Sequence, residues 1–303
     1  MARMANPINK ALAQWLFDRR NEGFSREEVR ALLIEHQYVE EDAERACVIA
    51  FDCPPDDLES LLDDDLQAEA ANQTATWIEG FEPSARIKLA ETQNAIPSDH
   101  GDIKVVCRSE RPYVIGLANV MTAEECKELI EYSRYRISRA MVVSPIDGSD
   151  LVDDRRTSEL VMHSRGESPL IAKLDERISQ LTGIPSDHGE GLQVMRYGVG
   201  AEYAPHYDYF ALGSLGERRH LKHGQRVASL VIYLNDVDAG GETIFPYGDL
   251  SISPQTGHAS YFAYTDKDGR CDGMSFHGGA PVRAGEKWIA TMWIRDRPYV
   301  ASE

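Results

Sequence analysis

The chain has 303 residues, 42% of them apolar, enough for one large domain or a main domain with a smaller attachment. Its net charge of −18 disfavours nucleic acid and anionic membrane surfaces as partners. No run approaches the roughly 18 apolar residues of a membrane span, and the first residues lack the apolar core of a signal peptide.

The five cysteines, Cys47, Cys53, Cys107, Cys126 and Cys271, form no CxxC pair and no regular framework. Such a scattered, odd set suits reduced thiols, so a cytoplasmic location is expected. The charge is uneven: residues 1–103 carry a net −13 and the remainder a net −5. A solvated acidic surface accounts for this, with a basic partner as the alternative.

Residues 1–72 are predicted to form a small acidic helical module. Ile8, Leu12, Trp15 and Leu16 share one helical face. Ser25 and Glu28 form a capping box with Phe24 and Val29 as its apolar staple, ahead of Leu32 and Leu33. Ala43, Cys47, Ala50 and Phe51 suit a third helix closed by Pro54 and Pro55, and Leu58, Leu61, Leu62 and Leu66 a fourth. Residues 73–102 lack strong periodicity and are expected to be a linker.

The main domain is predicted over 103–303. Thr122 with Glu125 caps one helix, and Ser168-Pro169 starts another that buries Leu170, Leu174, Ile178 and Leu181. From Leu192 the period changes to two. Val227, Ser229, Val231 and Tyr233 alternate with Ala228, Leu230, Ile232 and Leu234. Lys287, Ile289, Thr291 and Trp293 likewise alternate with Trp288, Ala290, Met292 and Ile294. Two apolar faces suit strands with one side inside a barrel and the other covered by helices. Helices first and strands after them predict an α+β jelly roll.

The chemistry lies in His206-Tyr207-Asp208 and the distant His277. On a strand, residues two apart share a face, so His206 and Asp208 converge. A second histidine from a partner strand completes two imidazoles and one carboxylate on one side of a metal, the pattern of non-haem Fe(II) oxygenases. The triplet alone also fits a hydrogen-bonded surface pair. His220 and His223 sit in a polar loop and are expected to be solvated.

The stretch QVMRYGVGAEYAPHYDYF, Gln193–Phe210, closely resembles the metal-binding strand of prolyl 4-hydroxylases, which are Fe(II)- and 2-oxoglutarate-dependent dioxygenases. The segments Arg226–Asp236, Gly240–Pro246 and His277–Trp288 agree in order, as do Arg156–Ser158 and Thr182–Pro185. The resemblance covers roughly 103–298 and leaves the N-terminal module outside. It implies a double-stranded β-helix with His206, Asp208 and His277 as iron ligands. Three ligands on a six-coordinate iron leave room for 2-oxoglutarate and O2, with ascorbate as a candidate reductant. Lys287 corresponds to the lysine that pairs with the remote carboxylate of 2-oxoglutarate. Tyr197 and Thr243 match hydroxyls that help hold it, and Tyr233 is an additional candidate. Tyr203, Arg226 and Trp293 resemble peptide-groove positions, and residues 143–158 resemble a mobile substrate loop. Ala280 stands where the family often has cysteine, which leaves the ligands intact.

The implied reaction is hydroxylation of a proline in a peptide or protein, with release of succinate and CO2. Hydroxylation of a free amino acid or other small molecule on the same scaffold is the alternative. A binding protein built on an inactive oxygenase fold is a third reading, opposed by the complete triad. The sequence does not give the oligomeric state.

Overall fold

The computed structural model describes residues 10–35, 38, 43–44, 46–47, 51, 78–90, 92–139, 142–143, 150–151, 158–210 and 223–300. The chain divides into two compact units: Met1–Thr74 with Val143–Leu151, and Ala75–Val142 with Val152–Glu303.

In the smaller unit, helices α1 (Lys10–Asn21) and α2 (Arg26–Glu35) follow from the spacing of their apolar residues. Leu12 and Leu16 bury in one cluster with Val29, Leu33, Ala43, Ala46 and Cys47, and Trp15, Phe24 and Phe51 pack around it. Before α2, Ser25 donates its backbone N–H to Glu28 Oε2 at 2.8 Å, and Glu28 donates its own to Ser25 Oγ at 3.3 Å. A cap of this kind stabilises by about 1 kcal/mol. The fourth predicted helix, over 58–66, lies outside the described residues.

The larger unit is built on two sheets. The first runs in the order β1 (Ala95–Ile96), β2 (Ile103–Glu110), β3 (Tyr113–Ala118), β14 (Ala259–Ala263), β10 (Arg226–Tyr233), β17 (Lys287–Arg295), β8 (Leu192–Tyr197), β7 (Glu159–His163), β4 (Ser138–Arg139). The second has the order β13 (Leu250–Ile252), β12 (Thr243–Phe245), β15 (His277–Gly279), β9 (Tyr203–His206). A short pair joins β11 (Ala239–Gly240) to β16 (Val282–Ala284), and β5 (Val142–Val143) and β6 (Asp150–Leu151) are two-residue strands. This is the α+β double-stranded β-helix. All the strand pairs within its two sheets are antiparallel.

Alternation along the central strands divides the core. Ala228, Leu230 and Ile232 on β10, with Trp288, Ala290, Met292 and Ile294 on β17, bury in a cluster shared with helices α3 (Ala123–Arg134) and α4 (Pro169–Thr182). The opposite faces, with Val231, Tyr233 and Ile289, meet Phe245 of the second sheet. Thr122 and Glu125 close a capping box on α3. Ser168 caps α4, Pro169 opens it, and Gly183, at φ +72°, ends it in the left-handed conformation.

The expected linker needs correcting. Of 73–102, the described residues 78–90 and 92–102 belong to the larger unit and pack on its core. Ala85 and Ile87 are buried in it, β1 pairs with β2, and Tyr261 donates its hydroxyl to the Ala85 carbonyl at 2.5 Å. The Asp99 carboxylate accepts from the buried Arg177 guanidinium at 2.8 and 3.0 Å. A few scattered contacts hold this segment, so no apolar periodicity announces it. Most of 143–158, and His220, lie outside the described residues.

Candidate active site

His206, the last residue of β9, sits directly opposite His277, the first residue of β15. Close approach of these strands requires Gly278: a Cβ there would lie 2.8 Å from the Tyr203 carbonyl oxygen. The two imidazole centres are 4.6 Å apart. Asp208 follows two residues after His206, with Oδ1 3.5 Å from His206 Nε2 and Oδ2 3.6 Å from His277 Nε2. One donor atom from each of the three residues lies within 4.8 Å of the others.

The outer edge of each ring fixes its tautomer. His206 Nδ1 is 2.9 Å from the Ala204 carbonyl oxygen, and His277 Nδ1 is 3.0 Å from that of Ser275. A carbonyl can only accept, so Nδ1 carries the proton and Nε2 presents a lone pair inward. Burial pushes His277 down to about 4 against the opposing pull of Asp208, so its ring is neutral at neutral pH. Burial alone would raise the Asp208 carboxyl, but the imidazoles and the Arg226 guanidinium outweigh it and hold it low. Two imidazole Nε2 atoms and a carboxylate thus face one point, an arrangement that a divalent cation completes. The donor set fits Fe(II).

The adjoining pocket is lined by Tyr197, Tyr203, Thr243, Lys287, Thr291 and Trp293, among others. Lys287 is 2% exposed, and burial pulls its ammonium down to about 8 although Glu242 works the other way. Among the described residues, no carboxylate lies within 4 Å of Nζ. Such a cation favours an anionic ligand strongly, because pairing offsets its desolvation.

The other expected residues divide. Tyr203 lines the pocket and stacks on His206, with centroids 3.8 Å apart. Thr243 lines it, but Tyr233 lies behind, donating its hydroxyl to Thr243 Oγ1 at 2.8 Å. The structure therefore places Tyr233 as a support for Thr243 and off the pocket wall. The Tyr197 hydroxyl points to Met195 Sδ at 3.5 Å. Arg226 is committed to protein partners: Nε and Nη2 donate to the two oxygens of Glu190 at 2.6 and 2.8 Å, and Nη1 to the Asp208 carbonyl at 3.2 Å. Its guanidinium also lies 4.1 Å from the Trp293 ring centre.

Two pocket-related residues escaped the sequence reading. Glu190, preceding β8, anchors both Arg226 and Arg295; nothing in its spacing signals this. Thr291 lines the pocket at 4% exposure, and among the described residues its hydroxyl has no hydrogen-bond partner. Its parity with Lys287 and Trp293 was the available signal. The indole N–H of Trp293 is likewise buried without a partner.

This fold with this donor set defines a non-haem iron oxygenase, and comparison with known proteins agrees. The family model of the 2OG-Fe(II) oxygenase superfamily matches residues 192–295. The chain is 38% identical over 200 residues to probable prolyl 4-hydroxylase 10 of Arabidopsis thaliana, covering 60% of this chain and 68% of that one. It is 34% identical over 227 residues to prolyl 4-hydroxylase 5 of the same plant, covering 69% and 77%. Among solved structures it is similar to the viral collagen prolyl hydroxylase of Paramecium bursaria Chlorella virus-1 in its 2-oxoglutarate complex. That match has 28% identity, a TM-score of 0.49, and coverage of 63% of this chain and 98% of the other. The chain belongs to the prolyl 4-hydroxylase family of 2-oxoglutarate- and Fe(II)-dependent oxygenases.

Proposed function

We infer that this protein hydroxylates a prolyl residue in a peptide or protein, using Fe(II), 2-oxoglutarate and O2 and releasing succinate and CO2. The observation that carries this reading is the buried His206–Asp208–His277 donor set, sharing one pocket with the buried ammonium of Lys287. Bound iron supplies the oxidative chemistry, coupling decarboxylation of the 2-oxo acid to insertion of oxygen into a C–H bond.

The residues around it bind and orient. His206, Asp208 and His277 hold the metal through two Nε2 atoms and a carboxylate. Lys287 pairs with the remote carboxylate of 2-oxoglutarate, beside the Thr243 hydroxyl and the Tyr197 ring. The Trp293 indole N–H offers a donor to a substrate carbonyl, and Tyr203 forms an aromatic wall next to His206. Arg226 contributes by bracing Trp293 and the Asp208 main chain. Apolar neighbours such as Met195, Val231 and Ile289 exclude water from the reacting centre.

The acidic helical module is assigned to recognition of a partner or substrate, with basic sequences favoured by its charge. A cytoplasmic location rests on the scattered, odd set of five cysteines, which forms no CxxC pair and no regular framework. Ascorbate is assigned as a reductant that restores Fe(II).

The test is succinate formation from 2-oxoglutarate with Fe(II), with and without proline-containing peptides, using His206→Ala as the blank. Peptide-stimulated turnover absent from the blank, with an added oxygen on proline by mass spectrometry, is expected. Turnover that no peptide stimulates would move the substrate to small molecules.

A further inference from the structure

Ser229 is a polar residue at the centre of an apolar strand. It lies midway along β10 between the buried Val227 and Val231 and is wholly inaccessible to solvent. Burying a hydroxyl is unfavourable unless its hydrogen bonds are made. Ser229 Oγ donates to Asp208 Oδ2 at 2.6 Å and lies 3.0 Å from the hydroxyl of Tyr264, which is itself fully buried.

Proton counting sets the direction of this chain. An ionised carboxylate only accepts, so Ser229 spends its single proton on Asp208. Its oxygen is then left as an acceptor, and Tyr264 must donate to it. Strand register holds both members in place: Ser229 pairs across β10 with Phe262 of β14 on one side and with Trp293 of β17 on the other. Tyr264 follows two residues after Phe262, and its backbone N–H donates to the Val227 carbonyl at 3.0 Å. The Phe262 ring centre lies 4.5 Å from that of His277, so β14, which ends just before Tyr264, also walls the second histidine.

We propose that Ser229, backed by Tyr264, is a positioning residue for the metal centre: the relay Tyr264→Ser229→Asp208 engages Oδ2 and keeps Oδ1 turned toward His206. The proposal rests on Asp208 being a metal ligand. Arg226 secures the Asp208 main chain through its carbonyl, whereas the Ser229 relay acts on the carboxylate itself. A carboxylate with one oxygen already hydrogen-bonded loses less freedom on capturing a cation, and it offers the metal a single oxygen. That leaves more of the coordination sphere to co-substrates.

The test is anaerobic titration of metal-free protein with Fe(II), and with Co(II) as a spectroscopic probe, read as a dissociation constant independent of turnover. Ser229→Ala is expected to weaken metal binding by roughly 10- to 100-fold, the usual effect of losing such an outer partner. Ser229→Thr, which keeps the hydroxyl, is expected to restore binding to within a few-fold of wild type. Tyr264→Phe removes only the second link and is expected to lie between them, with an altered Co(II) spectrum. Asp208→Ala separates the two ideas. Wild-type affinity in Asp208→Ala would overturn the site assignment. Loss there with wild-type affinity in both Ser229→Ala and Tyr264→Phe would overturn the relay alone. If Ser229→Ala does not fold, Tyr264→Phe decides: unchanged metal affinity and spectrum would reject the proposal.

Discussion

Lys287 lies directly across from Tyr197 in the β8–β17 pairing, and its Nζ sits 5.3 Å from the centre of the Tyr197 ring. This ring is its aromatic neighbour while burial pulls its ammonium down to about 8 from 10.5. The folded state therefore binds this proton less tightly than the unfolded state does. The burden of the charge is present in full below pH 8 and is relieved as the pH rises toward 10.5, so this residue's contribution to stability improves across that window. Pairing with a 2-oxoglutarate carboxylate favours the protonated form. The dissociation constant for 2-oxoglutarate is expected to be flat below pH 8 and to rise by up to about tenfold per pH unit above it. Lys287→Arg keeps its charge and should remove the break. Lys287→Met should weaken binding while stabilising the ligand-free protein at pH 7, by up to roughly 3 kcal/mol. Calorimetric titration of 2-oxoglutarate from pH 7 to 10 checks this, and a break persisting in Lys287→Arg would contradict it.

Glu190 is the shared anion of two guanidiniums, accepting from Arg226 at 2.6 Å and from Arg295 at 2.6 Å. The other two charges keep its carboxyl low despite burial. Glu190→Ala would leave two buried cations facing each other and should destabilise by about 3–5 kcal/mol. Arg226 would also stop bracing Trp293, so peptide KM is expected to rise more than that for 2-oxoglutarate. Chemical denaturation gives the first quantity and steady-state kinetics the second. A Glu190→Ala protein with wild-type stability would show that the network carries no load.

The fold and the metal donors were legible because they depend on local rules. Capping residues marked α2, α3 and α4, and period-two alternation marked β10 and β17. The His206–Asp208 spacing brought both side chains to one point, although β9 ends at His206 and Asp208 lies just beyond it. Parity gives a face, however, and says nothing of depth. Tyr233 shares its face with Val231, yet its hydroxyl is bonded to Thr243 and Ser260. Arg226 was legible as a groove residue, while its commitment to Glu190, 36 positions away, depends on strand order. The packing of 78–90 and 92–102 depends on long-range contacts such as Ser84 Oγ to the Thr265 carbonyl, which leave no periodic trace.

Metal should stabilise the folded chain because only the folded state assembles His206, Asp208 and His277. At a hundred times the dissociation constant, Co(II) is expected to add about 2.7 kcal/mol. For a domain of this size that corresponds to a rise in Tm of roughly 5–10 °C. EDTA should reverse it, and His277→Ala should abolish it. Thermal melts with and without metal measure the shift. An equal shift in His277→Ala would place the binding elsewhere.

Thr291 provides a test that separates ligand binding from folding. It lies on β17 between Ile289 and Trp293 and lines the pocket, and its buried hydroxyl has no hydrogen-bond partner among the described residues. An unmade hydrogen bond at a buried site costs about 1–3 kcal/mol. Thr291→Val keeps the shape and removes that polar atom, so the ligand-free protein should be unchanged or more stable by about 1 kcal/mol. If the hydroxyl instead serves a bound molecule, the same substitution should weaken 2-oxoglutarate binding or slow turnover by roughly 5- to 30-fold, equivalent to about 1–2 kcal/mol. Denaturation of the ligand-free protein alongside titration and turnover of the loaded enzyme distinguishes the two effects. Lower stability with unchanged binding and turnover would mean that Thr291 serves the core and not the ligand.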